Sequence, residues 1–74
     1  MGNRYKTPYQ VSLELLKACT QDSQGYTVLP GSVVWLDKSP IPPPGLTVLG
    51  WERLRWIRRD GQHWILTEKG YQAL

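Results

Sequence analysis

Apolar residues recur with a helical period near the start of the chain. Over residues 8–20, one face of a helical wheel collects the apolar side chains Val11, Leu15, Leu16, Ala18 and Cys19. The opposite face collects Gln10, Glu14, Lys17 and Gln21. Thr7 and Gln10 have the spacing of a capping box, and Pro8 lies at the first helical position. The pattern therefore predicts an amphipathic helix over residues 8–20.

Two short runs rich in β-branched and aromatic residues follow, at 26–29 and 32–36. They flank Pro30-Gly31, which is a turn signal. We expect two short strands around this turn, and a short helix that begins after Pro30 is the alternative. Proline then recurs within residues 38–45, which excludes a regular helix or a central strand and predicts a proline-rich surface loop.

Residues 46–59 fit either a helix or a strand. As a helix, one arc collects Leu46, Leu49, Gly50, Leu54, Trp56 and Ile57, while Val48 and Trp51 fall on the charged side. As a strand, residues 53–56 alternate strictly between arginine and an apolar residue. We favour a helix over residues 47–55 that passes into a strand at Trp56.

A hairpin and a last helix complete the predicted fold. Asp60-Gly61 is a strong hairpin signal, so residues 62–66 are expected to return as the second strand. Thr67 can cap a final helix over residues 68–74. The chain is therefore predicted to be a single small α+β domain. It would contain an N-terminal helix, short strands, a second helix, a β-hairpin and a short C-terminal helix, with residues 1–6 flexible.

Composition excludes several classes of protein. The chain has 74 residues, one cysteine and one histidine, so neither an internal disulfide nor a structural zinc site with about four ligands can form. No run of residues has the character of a signal peptide or a membrane span. These features predict a cytoplasmic protein that needs no metal or other cofactor.

The sequence contains no arrangement of residues that would support catalysis. His63 has no nucleophile near it in sequence, and Cys19 lies on the predicted apolar face, where a thiol is usually inert. The acidic residues are scattered, and no phosphate-binding glycine loop occurs. We therefore expect a protein without enzymatic activity.

Positive charge is concentrated in the second half of the chain. The formal net charge is +3, and four of the five arginines lie within seven residues, namely Arg53, Arg55, Arg58 and Arg59. The first half is close to neutral. Such a cluster is either an ordinary solvated face or a contact surface for phosphates. Together with Gln62 and His63 beyond the turn, it forms a candidate DNA-binding set.

Residues 54–70 combine the end of a helix, an arginine-rich strand, an Asp-Gly turn, a second strand and the segment Leu-Thr-Glu-Lys-Gly. This order resembles the C-terminal half of winged helix-turn-helix proteins, in which a recognition helix, a two-stranded wing and an LT-x-x-G segment follow one another. The resemblance implies duplex DNA as the partner. It places Arg58 and Arg59 of the wing in a minor groove or against phosphates, and Arg53 and Arg55 against phosphates or base edges. Residues 25–45 depart from the family pattern, because they predict no second helix.

Two functions remain open. The first is a small DNA-binding protein, such as a transcriptional regulator or an accessory protein of a mobile element, with a homodimer or a second protein assisting weak binding. The second is a protein-interaction module that docks on a larger protein through an exposed Trp51, the β-rich middle of the chain and the proline-rich loop with Pro42 and Pro43. One straight helix cannot easily bury both Trp51 and Trp56, whereas a helix that ends between them can.

Overall fold

The structure is a computed structural model that describes residues 7–38 and 42–74 of the chain. Within these ranges the chain forms a small α+β domain with three α-helices, as the sequence predicts, and its strands form one three-stranded antiparallel sheet. The elements are α1 (Pro8–Cys19), β1 (Val33–Val34), a 3-10 turn (Leu36–Lys38), α2 (Gly45–Arg53), β2 (Ile57–Asp60), β3 (His63–Leu66) and α3 (Glu68–Ala73). The expectations for residues 1–6, and for 39–41 in the proline-rich loop, lie outside the described residues.

Helix α1 begins where its capping signal predicts. The Gln10 backbone N–H donates to the Thr7 hydroxyl oxygen at 3.1 Å, and the Thr7 backbone N–H donates to the Gln10 side-chain oxygen at 2.9 Å. The helix ends at Thr20, whose buried hydroxyl donates to the Leu16 carbonyl at 3.0 Å. Both halves of the capping box are therefore present, and the prediction of this helix is confirmed.

The buried side of α1 differs from the prediction at two positions. Leu16 and Cys19 are buried as expected, but Val11 is exposed. Ser12 turns inward instead, and its hydroxyl accepts a hydrogen bond from the indole N–H of Trp51 at 2.6 Å. A hydrophobicity pattern could not identify Ser12 as a core-facing residue, because its partner lies in another helix.

The segment between α1 and β1 differs from the predicted pair of strands. Residues 26–29 form only an isolated bridge, between Thr27 and Gln21, and β1 pairs with β3 rather than with this segment. The Gly31 N–H donates to the Leu66 carbonyl at 2.7 Å, and the Leu66 N–H donates to the backbone carbonyl of Ser32 at 3.0 Å. The turn thus places the second β-rich run, residues 32–36, beside β3. The alternative helix directly after Pro30 does not form either.

The proline-rich loop is shorter than predicted. Of its described part, residues 42–44 are irregular, but Gly45 already belongs to α2. The carbonyl of Pro44 accepts from the N–H groups of Thr47 and Val48, at 2.9 and 3.1 Å, and so opens the helix. Proline immediately before the first turn is compatible with a helix, because the missing N–H has no partner there.

The sheet has the order β1-β3-β2, so the predicted hairpin forms its centre and one edge. Asp60 pairs with His63, which makes Gly61-Gln62 the two-residue loop rather than Asp60-Gly61. Gly61 has a φ of 62°, at the first loop position, where a type II′ turn takes glycine. The predicted hairpin is confirmed, and its loop is shifted by one residue.

The apolar core lies between the helices and one face of the sheet. Its buried members are Leu16, Cys19, Val34, Trp51, Trp56, Ile57 and Leu66. The core face of α2 is the reverse of the predicted one, because Val48 and Trp51 pack inward while Leu46 (84% exposed) and Leu49 face solvent. Burying the large indole of Trp51 against Ser12 removes more apolar surface than burying either leucine would.

None of the helices in residues 7–38 and 42–74 has the length and apolar character that a membrane crossing requires.

Candidate nucleic-acid interface

The junction between α2 and β2 has an unusual backbone conformation at Arg55. The Trp56 N–H donates to the Trp51 carbonyl at 2.9 Å, and the Arg55 N–H donates to the Glu52 carbonyl at 3.0 Å. These two bonds define a Schellman motif, in which glycine usually occupies the left-handed position. Here that position is Arg55, with a φ of 63°. A side chain in this conformation costs about 1 kcal/mol relative to glycine.

Thr67 holds this junction from the other side. Its hydroxyl lies within hydrogen-bonding reach of the Arg55 and Trp56 carbonyls, and its own N–H donates to the Trp56 carbonyl at 3.0 Å. The same hydroxyl accepts from the Gly70 N–H at 3.0 Å and thereby caps α3. One threonine therefore fixes both the start of α3 and the backbone that carries Arg55.

Gly70 allows α3 to approach the junction closely. A Cβ atom at this position would lie 2.1 Å from the carbonyl oxygen of Trp56, which no side chain can tolerate. Glycine is therefore required by the close contact between two backbones. The segment Leu-Thr-Glu-Lys-Gly has a physical explanation: a buried Leu66, a double-acting cap at Thr67 and a glycine where α3 touches the junction.

Four cationic residues line a groove of about 490 Å³ beside this junction. The groove lies between the end of α2, the edge strand β2 and the start of α3. We call it the basic groove, and its lining includes Arg55, Arg58, Arg59 and Lys69, with Glu52, Ile57 and Thr67. Four cations against one carboxylate give a local formal charge of +3, as large as the net charge of the whole chain. Positive charge is therefore concentrated in the basic groove.

Arg58 and Arg59 reach the basic groove from opposite faces of β2, because successive residues of a strand alternate. Arg59 lies on the core-facing side, and its guanidinium carbon is 4.9 Å from the ring centroid of Trp64. Arg58 lies on the outer side, where it pairs across the sheet with Ile65. The cation–π contact orders Arg59. Because β2 is an edge strand of the sheet, both arginines can border the groove.

The basic groove includes only part of the predicted DNA-binding set. It gathers Arg55, Arg58 and Arg59, and it adds Lys69, which sequence reasoning missed. Arg53 is exposed at the end of α2 but does not line the groove, and Arg55 lies beyond the helix rather than on it. The one sequence signal for Lys69 as a site residue is its position in the first turn of a capped helix, next to the hairpin.

Gln62 and His63 belong to a different pocket, of about 300 Å³, beside β1. We call it the aromatic pocket. Its lining includes Trp35, Asp37, Gln62, His63 and Trp64 together with Val33, Val34 and Leu36. The rings of Trp35 and His63 meet edge to face, with their centroids 6.0 Å apart and their planes at 88°. Neither Trp35 nor Asp37 was among the predicted site residues.

The predicted protein-docking set is corrected at its central residue. Trp51 is 1% exposed, so the hypothesis of an exposed Trp51 is wrong. Trp56 is buried as well, and its ring meets that of Tyr9 edge to face at 5.7 Å between centroids. Both indoles reach the core because α2 ends between them. Pro42 is exposed and Pro43 is half-buried, just before α2.

The groups that could carry covalent or metal chemistry are placed as follows. Cys19 is a free thiol in the core, and burial raises its pKa above the ordinary value. Among the described residues, no group of three or more histidine, cysteine, aspartate or glutamate side chains could hold a metal ion.

Comparison with known proteins identified no relative. No protein-family model matches the chain, and no curated protein or solved structure is significantly similar to it.

Proposed function

We propose that this chain is a small DNA-binding protein without enzymatic activity, which contacts the phosphate backbone through the basic groove. The observation that carries this proposal is the convergence of Arg55, Arg58, Arg59 and Lys69 on one concave surface. Charged residues also protect the open edge of a sheet from pairing with another chain. That alternative accounts for Arg58 and Arg59 on β2, but not for Arg55 and Lys69, which lie on other elements.

The order of elements supports a winged-helix-like mode of binding. A helix, a two-stranded hairpin and a capped last helix follow one another in α2, β2, β3 and α3. Between α1 and α2 only the 3-10 turn Leu36–Lys38 is helical in the part of the chain that the structure describes. The exposed side of α2 presents Leu46 and Leu49 along most of its length, and its exposed polar side chains, Glu52 and Arg53, lie only at its end. We therefore infer contacts to phosphates through the groove and the hairpin, with little reading of base edges by α2.

Such binding would be weak for one copy and strongly dependent on salt. Four phosphate contacts correspond to a slope of log affinity against log salt of about −3.6. A protein of this kind would act on DNA in the cytoplasm as a regulator or as an accessory protein of a mobile element. A homodimer or a second protein on the same DNA would raise its affinity.

The test is fluorescence anisotropy of a labelled random-sequence duplex, titrated with the protein at about 50 and 200 mM salt. We expect the affinity to fall roughly a hundredfold between these two salt concentrations. No binding at either salt by a protein shown to be folded would contradict the proposal, and the arginines would then be an ordinary solvated surface.

Matched variants test the groove itself. Replacing Arg58 and Lys69 with alanine removes two groove cations, and we expect the salt slope to become shallower by about 2. Replacing Arg53 and Lys17 with alanine changes the net charge equally, but neither residue lines the groove. An equal loss of affinity in both variants would mean that only the net charge matters and that the groove has no special role.

A protein-interaction module is the second candidate, favoured by one observation. Leu46, Leu49 and Leu54 are all exposed large apolar residues at or just beyond α2. Sedimentation velocity over a range of concentrations would detect a dimer that uses this surface. We expect such a dimer to be insensitive to salt and to be lost in a variant with Leu46→Ser and Leu49→Ser. If the protein is a monomer at every concentration, the leucine surface does not form a homodimer. A protein-interaction module would then have to bind a different, larger protein.

A further inference from the structure

Trp35 is the most exposed of the four tryptophans. It is 46% exposed, whereas Trp51 and Trp56 are buried and Trp64 is partly covered. Trp35 directly follows β1, and its contact with the ring of His63 places it on the outer face of the sheet. A large exposed ring held beside a second ring is a surface on which another flat ring can stack.

The aromatic pocket has the chemistry of a nucleobase site rather than of a phosphate site. Trp35 and His63 supply ring surfaces, Gln62 supplies an amide that both donates and accepts, and Asp37 supplies a carboxylate that accepts. The carboxylate of Asp37 would repel a phosphate. It would accept a hydrogen bond from the exocyclic amino group of adenine, cytosine or guanine.

The position of the aromatic pocket suits a nucleic acid that also contacts the basic groove. The basic groove follows β2 and the aromatic pocket follows β1, at the two edges of the same three-stranded sheet. Two strand spacings separate these edges, which is about 10 Å. On the outer face, Arg58, His63 and Trp35 are exposed around the buried Ile65. A single strand of nucleic acid can therefore cross this face of the sheet, with its phosphates near Arg58 and one of its bases at Trp35.

We propose that the aromatic pocket binds an unpaired nucleobase that stacks on Trp35, so that the preferred ligand is single-stranded nucleic acid. This proposal rests on the proposed function, because it assumes a nucleic-acid partner, and it makes that partner more specific. Bases with an exocyclic amino group bind better than thymine or uracil, because only they can donate to Asp37.

The test compares single strands with duplexes. Labelled oligonucleotides of about 12 nucleotides, as oligo(dA), oligo(dT) and a matched duplex, are titrated at one low salt concentration. We expect oligo(dA) to bind more tightly than oligo(dT) or the duplex. Trp35→Ala should weaken oligo(dA) binding roughly tenfold and leave duplex binding unchanged. Asp37→Ala should reduce the preference for oligo(dA) over oligo(dT).

Two further variants separate stacking from general effects. Trp35→Phe retains a ring, so oligo(dA) affinity should stay near that of the unmodified protein, while the quenching of tryptophan fluorescence on binding decreases. Tyr26→Ala removes an aromatic side chain that is 69% exposed but lies outside the pocket, and it should change no affinity. Titrations with the same oligonucleotides made as RNA show whether the preferred single strand is DNA or RNA. Tighter binding of single-stranded DNA or single-stranded RNA than of the duplex supports the proposal.

The outcomes distinguish the two proposals. Salt-dependent binding of the duplex, with single strands no tighter and Trp35→Ala without effect, overturns the base-binding pocket and leaves the DNA-binding function standing. If neither the duplex nor the single strands bind, both proposals are overturned. Equal losses in Trp35→Ala and Tyr26→Ala would also exclude a specific pocket. Fluorescence quenching by a trimethyllysine peptide, but not by oligonucleotides, would assign the pocket to a cation instead.

Discussion

The backbone of Gly70 lies directly against the carbonyl of Trp56, so that a Cβ on residue 70 would be 2.1 Å from the carbonyl oxygen. Gly70→Ala should therefore destabilise the protein by about 3 kcal/mol or prevent folding, because backbone rather than a flexible side chain has to move. Gly50→Ala is the matched control, since a Cβ at Gly50 meets nothing within 4 Å in the middle of α2. It should stabilise the protein by about 0.5–1 kcal/mol through helix propensity. Urea denaturation of both variants measures the difference, and equal effects would contradict the close contact.

Arg55 offers a test that separates stability from binding. Arg55→Gly removes the side chain and relieves its left-handed backbone, whereas Arg55→Ala removes the side chain alone. We expect the glycine variant to be about 1 kcal/mol more stable than the alanine variant in thermal denaturation. Both should lose affinity for nucleic acid by a similar factor, because both lose the guanidinium. A glycine variant that retains full affinity would show that Arg55 takes no part in binding.

The hydrogen bond between Ser12 and Trp51 is expected to contribute to stability. Ser12→Ala leaves the buried indole N–H of Trp51 without its partner, which should cost about 1–3 kcal/mol of unfolding free energy. Ser23→Ala, in an exposed turn, should change stability by less than about 0.5 kcal/mol. In a Trp51→Phe background, which has no indole N–H, Ser12→Ala should cost less. An equal cost in both backgrounds would exclude this hydrogen bond as the cause.

The buried thiol predicts a dependence of stability on pH. Burial raises the pKa of Cys19 in the folded protein above its ordinary value of 9.0. The unfolded chain therefore ionises first, and the contribution of Cys19 is complete below that value and declines as pH rises above it. Melting temperatures between about pH 7 and 10 should fall more steeply for this protein than for Cys19→Ala. Parallel curves would mean that the thiol ionises equally in both states.

Local signals account for the elements that the sequence predicts well. The capping box at Thr7, the turn glycine Gly61 and the cap at Thr67 each act within a few residues. The structure has both caps in the expected place, and Gly61 in a hairpin loop that begins one residue later than predicted. These signals fix α1, the hairpin and α3. Of the candidate site, they place Arg58 and Arg59 on a hairpin strand.

Contacts between distant residues account for what the sequence does not predict. The orientation of α2 depends on Trp51 meeting Ser12, 39 residues away, which a helical wheel cannot represent. Pairing of β1 with β3 likewise joins residues 30 and 32 positions apart. The basic groove and the aromatic pocket depend on these arrangements, so Lys69 and Trp35 could not be assigned to either from sequence. Arg55 was missed as the helix terminator because the usual glycine is absent.

The double role of Thr67 has a consequence for the order of folding. Residues 45–74 contain α2, the hairpin and α3, and the hydrogen bonds of Thr67 join the junction between α2 and β2 to the start of α3 across only 11 or 12 residues. Short loops close at low entropic cost, so this unit is expected to form before α1 docks through Ser12. Thr67→Ala should therefore mainly slow folding, whereas Ser12→Ala should mainly speed unfolding, as stopped-flow measurements in denaturant would show.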